Sequence, residues 1–168
     1  MKQFLSIYWL SIGLLFAIFY WDPSPVASML NRGQTDFTSF LTSLTLPTQM
    51  MEQHQIIINP YYTLVIEKAC NGMIPYLFFL ASIIAFPSTL RHKFIWALLG
   101  YVVIQGVNIL RIWIISTMVL KEESNFSLAH DYVGNILLIV TALSLFVLFV
   151  KSRGRLLSPS ETHAISSN

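Results

Sequence analysis

The chain has 168 residues, of which 55% are apolar and only 11% charged, with a formal net charge of +2. A soluble globule of that size does not carry such a balance, and no basic patch for nucleic acid is present, so composition points to an integral membrane protein in contact with the lipid bilayer. A single cysteine, Cys70, excludes an internal disulfide.

Apolar stretches run over 4–20, 73–86, 94–120 and 132–150. A spanning helix needs about 20 residues at roughly 1.5 Å each. The first, third and fourth stretches qualify directly, and the second does so only if 70–72 or 87–90 are counted with it. The expectation is an all-α integral membrane protein of about four transmembrane helices. The first stretch could instead be a secretory signal, with Lys2 ahead of it and the small residues Pro25-Val26-Ala27-Ser28 behind. Its apolar run exceeds the about 7 to 15 residues of such signals, and Tyr8, Trp9, Tyr20 and Trp21 suit interfacial anchors, so it reads as a retained span.

Basic residues set the orientation. Lys2, Arg91, Lys93, Lys151, Arg153 and Arg155 fall on one set of flanks, whereas the alternate flanks carry Asp22, Asp36, Glu52, Glu67, Glu122, Glu123 and Asp131 against Arg32, Lys68 and Lys121. The positive-inside rule then places both termini in the cytoplasm of a multi-pass inner-membrane protein, with the loops 22–69 and 121–130 outside. In the first of these loops, Phe37, Phe40, Leu41 and Leu44 recur at helical spacing and predict a short amphipathic helix resting on the outer membrane surface, ended by Pro47. The β-prone runs Ile56-Ile57-Ile58 and Thr63-Leu64-Val65-Ile66, separated by Asn59-Pro60-Tyr61-Tyr62, predict a short β-hairpin leading into Cys70, with an irregular loop as the alternative.

Within the third stretch, Gln105, Asn108 and Arg111 recur every third residue and share a sector about 120° wide. An arginine there costs on the order of 2.5–3.5 kcal/mol on insertion scales, so it faces protein, water or substrate rather than lipid. Snorkelling to the headgroups or pairing with Glu67 are the structural alternatives. After the fourth stretch, 156–168 reads as a disordered cytoplasmic tail, leaving 1–155 as one transmembrane domain. No phosphate loop or metal-ligand spacing implies a cofactor or a metal.

Taken singly, Cys70 is an inert packing residue or a nucleophile, and His130 an interfacial residue or a base. Their common placement matters more. All three of Cys70, Arg111 and His130 fall in the outer half of the membrane. Cys70 lies at a helix N-terminus, where the helix dipole and Arg111 would both favour thiolate over a thiol that ordinarily titrates near about 8.5. An imidazole can take the thiol proton and return it to a leaving amine, so the set supplies nucleophile, base and cation. His54, on the same outer side, is the alternative base. In a non-enzymatic assembly or transport subunit, Gln105, Asn108 and Arg111 would instead be structural or anion-binding.

These residues stand in Ala69-Cys70-Asn71-Gly72, Asn108-Ile109-Leu110-Arg111 and His130-Asp131-Tyr132-Val133-Gly134. In order and spacing they resemble the three signatures of the exosortases and archaeosortases, an Ala-Cys-(Ser/Asn)-Gly, an Asn-x-x-Arg in a later span and a His at the start of the next. The likeness covers about 56–150, and the short chain with Ala85-Phe86-Pro87 looks most like the compact exosortase H type. The resemblance implies a membrane cysteine peptidase or transpeptidase with catalytic Cys70, Arg111 and His130, supported by Asn71, Asn108 and Gln105. It implies as partners secreted proteins bearing a C-terminal motif, one transmembrane helix and a basic cluster. Neither the motif, nor the acyl acceptor, nor the oligomeric state follows from it.

Overall fold

The computed structural model describes residues 2–21, 24–46, 51–66, 70–122, 124, 126, 130, 132 and 134–156. In chain order these form α1 (Lys2–Phe19), α2 (Pro25–Ser43), β1 (Met51–Glu52), β2 (Gln55–Asn59), β3 (Tyr62–Val65), α3 (Met73–Ala85), α4 (Leu90–Lys121) and α5 (Asn135–Leu156). Helices predominate, as the composition requires of a chain whose backbone polar groups must be satisfied within lipid.

Two of these helices, α4 and the 135–152 part of α5, are long and apolar enough to cross a membrane. The α1 segment is apolar but shorter, and α3 has only 13 residues, about 20 Å of helix against a hydrocarbon core of about 30 Å. Neither extension considered for this second stretch, 70–72 or 87–90, continues α3, and Leu90 already opens α4. On one side Gly72 caps α3 in the left-handed region, and on the other Phe86 is extended ahead of Pro87, as a residue preceding proline prefers. Helix α4 is the opposite case. Its 32 residues reach about 48 Å, well beyond the hydrocarbon core, so one end must project and carry whatever packs on it.

The bundle core joins α3, α4 and α5 through Phe79, Ile83, Ile104, Leu138, Leu145 and Phe149. Close approach of α3 and α4 depends on Gly100, where a Cβ would overlap the Phe79 ring. Against the other side of α3, α1 packs Leu15 onto Met73, Leu77 and Ala81. At the end away from Cys70, His92 lies flat on Phe149 and bridges the hydroxyls of Ser88 and Ser152, each at 2.8 Å.

Helix α2 departs from the expected short element over 37–44. It starts at Pro25, with the Ser24 side chain accepting from the Ala27 N–H at 3.3 Å, and ends at Ser43; Pro47 lies outside the described residues. Its amphipathicity is inverted relative to a soluble protein. Asn31, Gln34, Thr38, Ser39 and Thr42 are buried, whereas Met29, Phe40 and Leu44 are 78%, 60% and 68% exposed. The exposed face also carries Arg32 and Asp36, and the buried amides and hydroxyls form a polar stripe that serves the interior.

The expected two-stranded hairpin is a three-stranded antiparallel sheet in the order β1-β2-β3. The additional strand β1 is two residues long, too short for any alternation to mark it. Ile56 and Ile66 of this sheet pack on Ile112, so the sheet sits on the projecting end of α4. The tail expected over 156–168 lies outside the described residues except for Leu156, which closes α5.

Candidate active site

The turn that presents Cys70 is built by amides. Asn71 is fully buried, and its side-chain carbonyl accepts from the Met73 N–H at 3.0 Å, satisfying one of the free donors at the start of α3. Its backbone carbonyl accepts from Gln34 at 3.0 Å, Gln105 at 3.2 Å and Thr38 at 3.5 Å, and its amide nitrogen donates to Asn31 at 3.3 Å. Two helices, α2 and α4, therefore hold the same peptide unit. Gly72 follows with φ 76°, and a Cβ there would lie 3.0 Å from Gln105 Nε2 and 3.2 Å from Asn108 Cγ. Only glycine meets both the backbone and the steric requirement.

Cys70 itself precedes this cap. The helix N-terminus expected at Cys70 begins three residues later, and its first donor is taken by Asn71. Thiolate stabilisation by the helix is thus weaker than the sequence reading supposes, because dipole effects fade beyond the terminal turn. The guanidinium of Arg111 stands in its place. It lies near enough to the Cys70 sulfur for a charge interaction and is buried, at 3% exposure.

On the other side of the thiol, Cys70 Sγ is 3.6 Å from His130 Nε2, a hydrogen-bonding distance for sulfur. The His130 ring stacks on Phe126 with centroids 5.3 Å apart, which fixes the plane of the imidazole. Asn108 joins nucleophile to cation: its Nδ2 donates to the Cys70 carbonyl at 2.9 Å, and its Oδ1 accepts from Arg111 Nη1 at 3.5 Å. Arg111 Nη2 donates to Asn135 Oδ1 at 3.5 Å, and Arg111 Nε is buried without a partner among the described residues. Among the described residues, the hydrogen-bond partners of the arginine are therefore neutral amides at long distance.

Beside the thiol opens a cavity of 470 Å³ lined by Cys70, His130, Ser116 and Phe126 and by apolar residues of β3 and α4. All six residues singled out in the sequence, Cys70, Asn71, Gln105, Asn108, Arg111 and His130, thus converge. His54 does not join them; it pairs with Asp36 at 2.7 Å, tying the β1–β2 turn to α2. Glu67, the alternative partner of Arg111, and Ala69 of the first signature lie outside the described residues.

Sequence reasoning passed over Asn31, Gln34 and Thr38 of α2, Tyr101 of α4, which donates to Gln34 at 2.7 Å, and Asn135. The signal for the first three was their spacing at i, i+3 and i+7, hidden by an apolar pattern on the opposite face. Asn135, like Asn108, is an amide within an apolar stretch.

Fold and site together define a helical membrane protein with a thiol, an imidazole and a guanidinium gathered at one end of its bundle. The chain belongs to the transmembrane exosortase family (Exosortase_EpsH), whose model matches residues 2–148. No curated protein and no solved structure matches it. Family membership carries the coarse reading, that of a membrane transpeptidase or peptidase.

Proposed function

We propose that this protein is a cysteine peptidase or transpeptidase that cleaves C-terminal sorting signals of secreted proteins on the extracytoplasmic side of the inner membrane. The observation that carries the reading is the 3.6 Å approach of Cys70 Sγ to His130 Nε2, with Arg111 tied to the Cys70 turn through Asn108. Supporting it is the long, projecting α4, which carries Arg111 about 32 Å from its start, near the far edge of a hydrocarbon core. With both termini cytoplasmic, that edge is the outer one, where a secreted substrate is anchored by its own transmembrane helix.

In this mechanism His130 takes the Cys70 proton as sulfur attacks the scissile carbonyl carbon. Arg111 meets the oxyanion that forms as the carbonyl π electrons move to oxygen. Collapse expels the amine, which takes the proton from His130 and leaves a thioester on Cys70. An acceptor amine or water, deprotonated by His130, then attacks the thioester and releases Cys70. Asn108, Asn71 and Gln105 hold the nucleophile's backbone and the cation in register.

The test is Cys70→Ala in cells producing a reporter with the host's sorting signal. Full-length reporter should accumulate while the variant still inserts, and hydroxylamine should intercept the thioester only with Cys70 present. Conversion of the reporter by Cys70→Ala would refute the assignment and favour the non-enzymatic subunit. The mass of the released product distinguishes transfer from hydrolysis.

A further inference from the structure

Among the described residues the three-stranded sheet ends on β3, and that edge opens into the cavity holding Cys70 and His130. Which backbone groups it presents follows from the ladder. The Ile66 N–H donates to the His54 carbonyl at 2.8 Å, and β3 pairs Val65 with Gln55, Leu64 with Ile56 and Thr63 with Ile57. Hydrogen-bonded pairs alternate in an antiparallel ladder, so Leu64 and Ile66 bond to the sheet while Thr63 and Val65 turn their N–H and C=O groups outward. Both are exposed, and both line the cavity. Side chains follow the complementary alternation, Leu64 and Ile66 packing beneath the sheet towards α4.

An open edge is a template for another strand, and proteins normally block it with lysine, proline or a bulge. Here Tyr62-Thr63-Leu64-Val65 carries no such guard on its outer side, and the one irregularity, between Ile57 and Asn59, lies on β2. An unguarded edge beside the nucleophile favours a substrate that pairs with it. Among the described residues, no carboxylate, lysine or arginine lines the cavity; its walls are Ile56, Leu64, Ile112, Ile115 and Phe126.

We infer that the substrate's sorting signal binds extended, as a fourth strand on β3, with its backbone bonded to Thr63 and Val65 and uncharged side chains flanking the scissile bond. This rests on the proposed cysteine chemistry and adds how the polypeptide is held. The mode selects for a stretched backbone and small or apolar side chains at alternate positions. Specificity by charge is left to segments that do not enter the cavity.

The test uses purified full-length protein in lipid nanodiscs and the probe acetyl-Val-Leu-Val-Ala vinyl sulfone, whose alkene the Cys70 thiol adds across. Four further probes carry a single N-methyl group at each amide in turn. N-methylation should slow labelling of Cys70 about tenfold at alternate amides and spare those between. Thr63→Pro and Val65→Pro remove the outward donors, which the probe's carbonyls would meet, without touching the ladder to β2, so labelling by the unmethylated probe should slow about tenfold in each. Iodoacetamide labelling of Cys70 should be unchanged, which verifies the fold. Uniform tolerance of N-methylation, slowing without alternation, or native labelling rates by the unmethylated probe in both proline variants overturns the inference, as does a native protein that reacts with iodoacetamide but with no peptidyl probe. Cleavage by Cys70→Ala would instead overturn the enzyme reading beneath it.

Discussion

Replacing Gly72 by alanine perturbs the site without touching a reactive atom. The backbone there has φ 76° and ψ 2°, where an L side chain costs about 1–2 kcal/mol. The new methyl would lie 3.0 Å from Gln105 Nε2 and 3.2 Å and 3.3 Å from Asn108 Cγ and Cβ, so these side chains must give way by a few tenths of an ångström. Gln105 then loosens from the Asn71 carbonyl and Asn108 from the Cys70 carbonyl, bonds worth about 0.5–1.5 kcal/mol each. The combined loss is about 2–5 kcal/mol of stability. Because Asn108 also holds Arg111, the displacement reaches the oxyanion site and should lower kcat by about 10²-fold. Thermal unfolding in detergent and reporter cleavage measure the two effects. Adding Gln105→Ala opens the closest contact, so the double variant should lose less than the sum of the singles, by about 0.5 kcal/mol or more. Native cleavage by Gly72→Ala refutes the account, and a strictly additive cycle refutes its steric part.

Arg111→Lys should cut kcat by about 10²- to 10³-fold with the protein still folded, because an ammonium cannot hold Asn108, Asn135 and the sulfur with one planar fork; steady-state cleavage checks it. Asn135→Ala should act more mildly, lowering kcat about 2- to 10-fold with KM unchanged, since it removes one long neutral acceptor from Arg111. Gly100→Leu should destabilise the bundle by about 1–3 kcal/mol by driving the Phe79 ring out of place, read as a lower unfolding temperature.

Alternation of charge and apolar length made the membrane class legible. Arg111 drew attention because a cation in an apolar stretch is costly wherever the chain folds, and Cys70 because it stands alone at a boundary. Helix α2 was harder to read. Its apolar residues marked a face, but which face turns inward depends on the neighbours, and here the Asn31–Gln34–Thr38 stripe does so, bonding to Asn71. The length of α3 was equally a matter of its ends, decided by Gly72 and Pro87 rather than by hydropathy.

The order and spacing of Cys70, Asn108, Arg111 and His130 are properties of the sequence, because covalent connection and helical period carry them into any fold the chain adopts. That His130 Nε2 meets the thiol at 3.6 Å, that His54 turns away to Asp36, and that Asn135 steadies Arg111 were decided by tertiary structure. Those contacts join residues 18 to 60 positions apart, and no local rule of propensity or periodicity acts over that separation. The same holds for the edge of β3: alternation along a strand is local, but which edge is left open, and onto which cavity, is set by packing against α4.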